Sequence, residues 1–252
     1  MVRTIRHPAG MRVVTVPCLS DNFAYLIIDG GRAVVVDPSE AAPIETALPK
    51  ENVALAAIWL THHHWDHVGG VADLVEKYPG IDVVISRIDA EKLKPETRRC
   101  VTRLVDEGDK VALNNIVARV IHNPGHTLGA VSYHIADHPA GSGSVFTGDT
   151  LFAAGCGRVF EGDPPMMYAS LQKLAQLPDR TKVYFGHEYT AANLKFAAAA
   201  EPDNGAVKTA LASLATPSSP STIFEERATN PFIRADDATE FARRREWKNN
   251  FK

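Results

Sequence analysis

Residues 54–70 read ALAAIWLTHHHWDHVGG, and the four imidazoles between positions 62 and 67 are the densest run of metal-binding side chains in the sequence. The seven residues before Thr61 are apolar throughout, the pattern of a strand buried on both faces. After the histidines come Gly69-Gly70 and VADLVEKYPG (71–80), which predicts a helix stopped at Pro79-Gly80. The histidines therefore occupy a turn from strand into helix. Alternate residues of an extended chain share a face, so His62 and His64 point toward one ion while His63 points elsewhere. Where the chain bends into the helix, Asp66 and His67 can face a second ion beside the first.

Working outward, MRVVTVP, FAYLIID and GRAVVVDP predict three strands, with Gly30-Gly31 as a hairpin turn between the last two. IETALPKENV is a helix candidate. IDVVISR, KVAL, IVARVIH, AVSYHIA and SVFTGD continue the strands to about Thr150. MMYASLQKLAQLP then has helical spacing, and KVYFGH is one more short buried strand. Beyond it strands are expected to cease. TAANLKFAAAAEP, NGAVKTALASLA and DDATEFARRREWKNNF predict helices, separated by the loops TPSSPST and ATNPFIR. The expected division is a mixed sheet-and-helix domain over 1–187 and a small helical domain over 188–252.

A catalytic zinc takes about three protein ligands and a water, so each half-site needs donors from other strand ends. The candidates are His126 in NPGHT, Asp149 in FTGDT and His187 in YFGHE. A carboxylate can bridge two cations, which makes Asp149 the natural shared ligand. Imidazole and carboxylate without thiolate suits zinc, iron or manganese. Elsewhere the composition is plain: 27 Lys+Arg against 30 Asp+Glu gives a net charge of −3, which argues against general nucleic-acid binding. Cys18, Cys100 and Cys156 are far apart and form no C-x-x-C pair, so neither disulfides nor a cysteine zinc site is expected. No run of about 20 apolar residues and no signal-like N-terminus is present, and the expectation is a cytoplasmic monomer off the membrane.

THHHWDH (61–67), PGHT, FTGDT and GHEYT in this order resemble the metallo-β-lactamase superfamily, and within it glyoxalase II, the hydroxyacylglutathione hydrolases. The similarity implies the αββα sandwich of that superfamily with a C-terminal helical domain, and two divalent ions per chain, zinc before iron or manganese. It implies that His62, His64, His126 and Asp149 hold one ion and Asp66, His67, Asp149 and His187 the other. LFAAGCGRVFEG (151–162) resembles the family's glutathione-holding loop, with Arg158 at its basic position and Phe160 where some members have tyrosine. Tyr189 is implied as a further contact. The ending RRREWKNNFK matches the family's basic helix, with Arg245 and Lys248 three apart on one face and suited to glutathione carboxylates.

The activity implied is hydrolysis of S-(2-hydroxyacyl)glutathione thioesters such as S-D-lactoylglutathione, giving glutathione and D-lactate in the second step of methylglyoxal detoxification. A hydroxide shared by the two metals attacks, with Asp149 spanning the ions and Asp66 orienting the water. The alternatives are an iron oxidoreductase similar to persulfide dioxygenases, another hydrolase of the same fold, or a binder without activity. His7, His63, His122, His134 and His138 read as packed or surface residues, and Cys156 as a turn-packing residue. Asp37 either bonds a ligand histidine or caps a turn and is left out of the site. Residues 230–234 (NPFIR) read as a rigid loop without chemistry.

Overall fold

The computed structural model describes residues 3–6, 10–136 and 143–251, so His7 and His138 lie outside the described residues. The chain forms two compact units. The first holds residues up to His122 together with Gly129–Ile135, and the second holds Asn123–Leu128 and everything from Ala136 onward.

In the first unit, a sheet runs in sequence order through Arg3–Arg6 (β1), Arg12–Cys18 (β2), Asn22–Asp29 (β3), Arg32–Val36 (β4), Ala54–Trp59 (β5), Asp82–Ser86 (β6) and Arg103–Val105 (β7). The first four strands are antiparallel and β4 to β7 run parallel. Asp29 pairs with Arg32 across a two-residue turn in which Gly30 and Gly31 both have positive φ, 56° and 83°, the turn that suits the strand twist and favours glycine. Helices Ala41–Glu51 (α1), Trp65–Val68 (α2) and Val71–Lys77 (α3) follow β4 and β5. Short turns Arg87–Ala90 (α4) and Pro95–Arg98 (α5) follow β6. Ile44, Leu48, Val71 and Leu74 pack with Leu26, Val35, Ile58, Val83 and Ile85 in one apolar core, each contributing about 1.5–3 kcal/mol through burial.

Lys110–Leu113 (β8), Ile116–His122 (β9) and Val131–Ile135 (β10) form an antiparallel meander. Tyr133 on β10 packs its ring on Trp59, 5.3 Å between centroids, and donates its hydroxyl to the Leu60 carbonyl at 2.9 Å. The burial of a phenol is thus compensated, and β5 is held at the end from which the histidines emerge.

The second unit contains Ser144–Gly148 (β11), the hairpin Leu151–Phe152 (β12) and Gly155–Cys156 (β13), Lys182–Phe185 (β14) and Ser221–Thr222 (β15). β11 and β14 are parallel neighbours and β15 pairs antiparallel with β14. The expectation that strands cease after β14 is corrected by this short edge strand. Helices Pro164–Ala175 (α6), Thr190–Ala200 (α7), Gly205–Ala212 (α8), Ile223–Thr229 (α9) and Ala238–Asn250 (α10) complete the unit. α6 starts as its sequence dictates: Asp163 accepts the Met166 N–H at 2.8 Å and Pro164 stands at the first position. Phe232 lies between Phe196 on α7 and Phe241 on α10, at centroid distances of 5.7 and 5.8 Å. Among the described residues no helix is long and apolar enough to cross a membrane.

Candidate metal centre

In the first unit, His62, His64, Asp66 and His67 leave the carboxyl end of β5 as the sequence suggests, and Asp37, leaving the neighbouring β4, organises them. Asp37 sits at φ 49°, a left-handed conformation that turns its carboxylate back under the histidines. Its Oδ1 accepts the Thr61 N–H at 2.8 Å, and its Oδ2 accepts the Thr61 hydroxyl at 2.6 Å and the His67 Nδ1–H at 3.0 Å. Because the Thr61 proton goes to the carboxylate, the Thr61 oxygen must accept from His62 Nδ1, 3.0 Å away. Both imidazoles are thereby assigned the tautomer with the lone pair on Nε2, the atom each needs as a ligand. Of the two readings of Asp37, the bond to a histidine of the cluster is the one the structure shows.

The donor spacings fit a metal. Ligand nitrogens about 2.0–2.1 Å from a tetrahedral ion stand roughly 3.3 Å apart. His62 Nε2 lies 3.1 Å from His64 Nδ1, and His67 Nε2 lies 3.7 Å from Asp66 Oδ2. The Asn22 amide holds Asp66 through its carbonyl at 3.0 Å and its Oδ2 at 3.2 Å.

In the second unit, Asp149 and His187 follow the carboxyl ends of the parallel neighbours β11 and β14, joined by the Gly186 N–H to the Gly148 carbonyl at 2.9 Å. Strand pairing thus sets His187 Nε2 3.3 Å from Asp149 Oδ2. His126 Nε2 approaches the same oxygen at 3.5 Å, so one carboxylate oxygen serves two imidazoles, as a shared ligand would. His126 donates Nδ1–H to the Arg158 carbonyl at 2.9 Å, which assigns its lone pair to Nε2 as well. Gly157 permits this closeness: a Cβ there would collide with the Asp149 carbonyl oxygen and lie 3.0 Å from His126 Nδ1. The His187 ring is stacked on Tyr189, 4.8 Å apart and 2° from parallel.

His126, Asp149 and His187 are thus brought together in one unit, and His62, His64, Asp66 and His67 in the other. His63 is held apart, as expected: its ring and N–H both reach Asp89, at 3.0 Å. Cys156 is buried, and burial raises its thiol above the ordinary range despite the Arg245 guanidinium beside it, which disfavours a reactive thiolate.

The sequence pattern described as the metallo-beta-lactamase superfamily matches residues 20–187, and that described as the hydroxyacylglutathione hydrolase C-terminus matches residues 188–251. A hydroxyacylglutathione hydrolase from Ruegeria pomeroyi is 46% identical over 235 residues, 90% of this chain and 88% of its own length. The chain belongs to the hydroxyacylglutathione hydrolase family. Among solved structures, ETHE1 from Myxococcus xanthus aligns with a TM-score of 0.69 at 26% identity, covering 98% of this chain and 90% of that one. A protein solved in a di-iron-bound form aligns at 0.61 and 29% identity, covering 86% of this chain and 98% of its own. The fold is that of metallo-β-lactamases with a C-terminal helical segment, and its clusters of histidine and aspartate suit divalent metals.

Among the residues expected to hold glutathione, Arg158 is exposed and Phe160 is 60% exposed with its ring 5.2 Å from that of His126. Tyr189 is 40% exposed beside His187. Lys248 donates to the Ala192 carbonyl at 3.0 Å, and burial lowers its pKa. Arg245 differs in kind. It is only 7% exposed, donates to the Cys156 carbonyl at 2.9 Å and lies 5.0 Å over the Phe232 ring. Asp37, which organises this cluster, lies outside the histidine motif that begins at Thr61; the Asp-Pro that follows β4 is the available signal.

Proposed function

We propose that the protein hydrolyses S-(2-hydroxyacyl)glutathione thioesters, S-D-lactoylglutathione foremost, to glutathione and a 2-hydroxy acid, the second step of methylglyoxal detoxification. What carries the reading is a full set of seven donor side chains in a chain whose 188–251 segment matches the hydroxyacylglutathione hydrolase C-terminus. The same match favours it over a persulfide-oxidising alternative.

In this reading His62, His64, His126 and Asp149 hold one divalent ion and Asp66, His67, Asp149 and His187 the other, with zinc the expected metal. Bound there, the ions would supply Lewis acidity toward the thioester carbonyl and lower the pKa of a bound water toward roughly 7. The chain's own groups do the rest. Asp37 and Thr61 keep His62 and His67 in the tautomer that presents Nε2, and the Arg158 carbonyl does the same for His126. Asp66, steadied by Asn22, is placed to orient the attacking water. Arg158, Tyr189, Arg245 and Lys248 bind the glutathione portion, and Phe160 offers it a ring face without a hydroxyl. A thiol ionises near about 8.5, so the leaving sulfur departs as thiolate and no general acid is required. The substrate is a free small molecule, and the reaction is set in the cytoplasm, where glutathione is kept reduced.

Loss of the thioester absorbance tests the reading. Asp149→Ala should lower kcat by at least about 1000-fold, since removing a shared ligand disables the acidified water. A variant with wild-type kcat would refute it.

A further inference from the structure

The C-terminal segment carries four buried polar side chains whose hydrogen bonds the chemistry above does not use, and all four end on one short stretch of backbone. Asn230, in the NPFIR segment, donates its Nδ2 to the carbonyls of Phe152 at 3.2 Å and Gly155 at 2.9 Å. The same nitrogen reaches Glu226 Oε2 at 2.9 Å, and that oxygen accepts the Ala154 N–H at 2.9 Å. Asn193 on α7 donates to the Ala153 carbonyl at 3.1 Å, and Arg245 on α10 donates to the Cys156 carbonyl. Every residue from Phe152 to Cys156 is therefore gripped through its main chain. Specificity for side chains cannot be the purpose of such contacts, because they read only backbone.

The gripped hairpin is under constraint. Ala154 stands at φ 52°, a conformation that L side chains rarely adopt, and it persists only where surroundings over-determine it. A Cβ on Gly155 would collide with the Asn193 amide, so hairpin and helix are fitted face to face. The two ends of the hairpin matter. Asp149 lies two residues before Leu151, and Arg158, whose carbonyl holds His126, lies two residues after Cys156.

We propose that Asn193, Glu226, Asn230 and Arg245 are positioning residues that clamp residues 151–156, and so fix the spacing of Asp149 and His126 for metal binding. The helical segment then acts on the metal centre through this hairpin, in addition to any part in holding glutathione. Arg245 makes its clamp bond through Nη1 to the Cys156 carbonyl, beside the part proposed for it in holding glutathione. The inference rests on the reading of His126 and Asp149 as metal ligands.

The test is zinc affinity, measured by competition with a chromophoric chelator, together with amide hydrogen exchange over residues 150–158. Asn230→Ala should weaken zinc binding by roughly 10- to 100-fold, the range typical of lost outer partners, and speed exchange in that peptide more than elsewhere. Glu226→Ala should do the same. Glu226→Gln should not, because one amide oxygen can take the place of Oε2 toward both Ala154 and Asn230. Should Asn230→Ala fail to fold, the Glu226 pair carries the comparison alone. Unchanged affinity and exchange in the alanine variants, or equal loss in Glu226→Ala and Glu226→Gln, would overturn the proposal. Failure of wild-type protein to hydrolyse thioesters would sink the functional reading and leave this result intact, since chelator competition needs no substrate.

Discussion

Asp37 shows how a single side chain can set the chemistry of several others. Its two oxygens fix Thr61 and His67 directly and His62 through the Thr61 hydroxyl. Asp37→Asn keeps the shape but puts an amide donor where an acceptor is needed, so His67 loses the partner that assigns its tautomer. Zinc affinity in that variant should fall roughly 10- to 100-fold by chelator competition; an unchanged affinity would contradict the assignment. The histidines themselves were legible because their spacing is local. Asp37 was legible only as one of two readings, a bond to a histidine or a turn cap, since its partner Thr61 is 24 positions away and only the pairing of β4 with β5 brings them together. Glu226 makes a second case at this scale. Burial pushes its pKa from 4.5 up to about 7, although the bonds from Asn230 and the Ala154 N–H pull the other way. A carboxyl raised in the folded state contributes stability in full below its unfolded pKa and loses it as pH rises through the folded value. Between pH 4.5 and 7 the ionising group should thus cost about 3 kcal/mol. Glu226→Gln removes that loss, so its melting temperature relative to wild type should rise from about pH 5 to about pH 8; a constant difference would contradict the buried carboxyl's role.

Elements were legible in proportion to their length. The apolar runs that became β2 to β6, β9 and β10 span five to eight residues, enough for a pattern to emerge. Arg103–Val105, Leu151–Phe152, Gly155–Cys156 and Ser221–Thr222 have two or three residues and no periodicity, and they form because neighbours offer unpaired backbone. Helix α9 falls outside the sequence expectations although it carries its own start signal. Thr222 Oγ1 accepts the Glu225 N–H at 3.2 Å and bonds the Glu225 carboxylate at 2.9 Å, three residues apart as in a capping box. Thr222→Ala should destabilise the protein by about 1 kcal/mol in urea unfolding, and an unaltered midpoint would mean the cap is idle. The cost of losing α9 would extend further, because Glu226 and Asn230 at its end hold the β12–β13 hairpin.

For the whole molecule, the order of motifs along the chain carried more than any one of them. Each unit alone supplies histidine and aspartate donors at spacings that suit coordination. Asp149 and His187 were candidates because both follow a buried strand into a glycine-marked turn, and their partnership was implied by the family resemblance alone; the parallel pairing of β11 with β14 is what brings them together. The hairpin clamp was beyond such reading, since it is made of side-chain bonds to backbone that leave no spacing in the sequence. The most direct test of the account is metal content and turnover measured on one preparation, by elemental analysis and S-D-lactoylglutathione hydrolysis, before and after chelation and reloading. Two divalent ions per chain, with turnover lost on chelation and regained with the second equivalent, is the result expected. Full thioester turnover in metal-free protein, or a chain that binds no more than one ion while turning over, would contradict it.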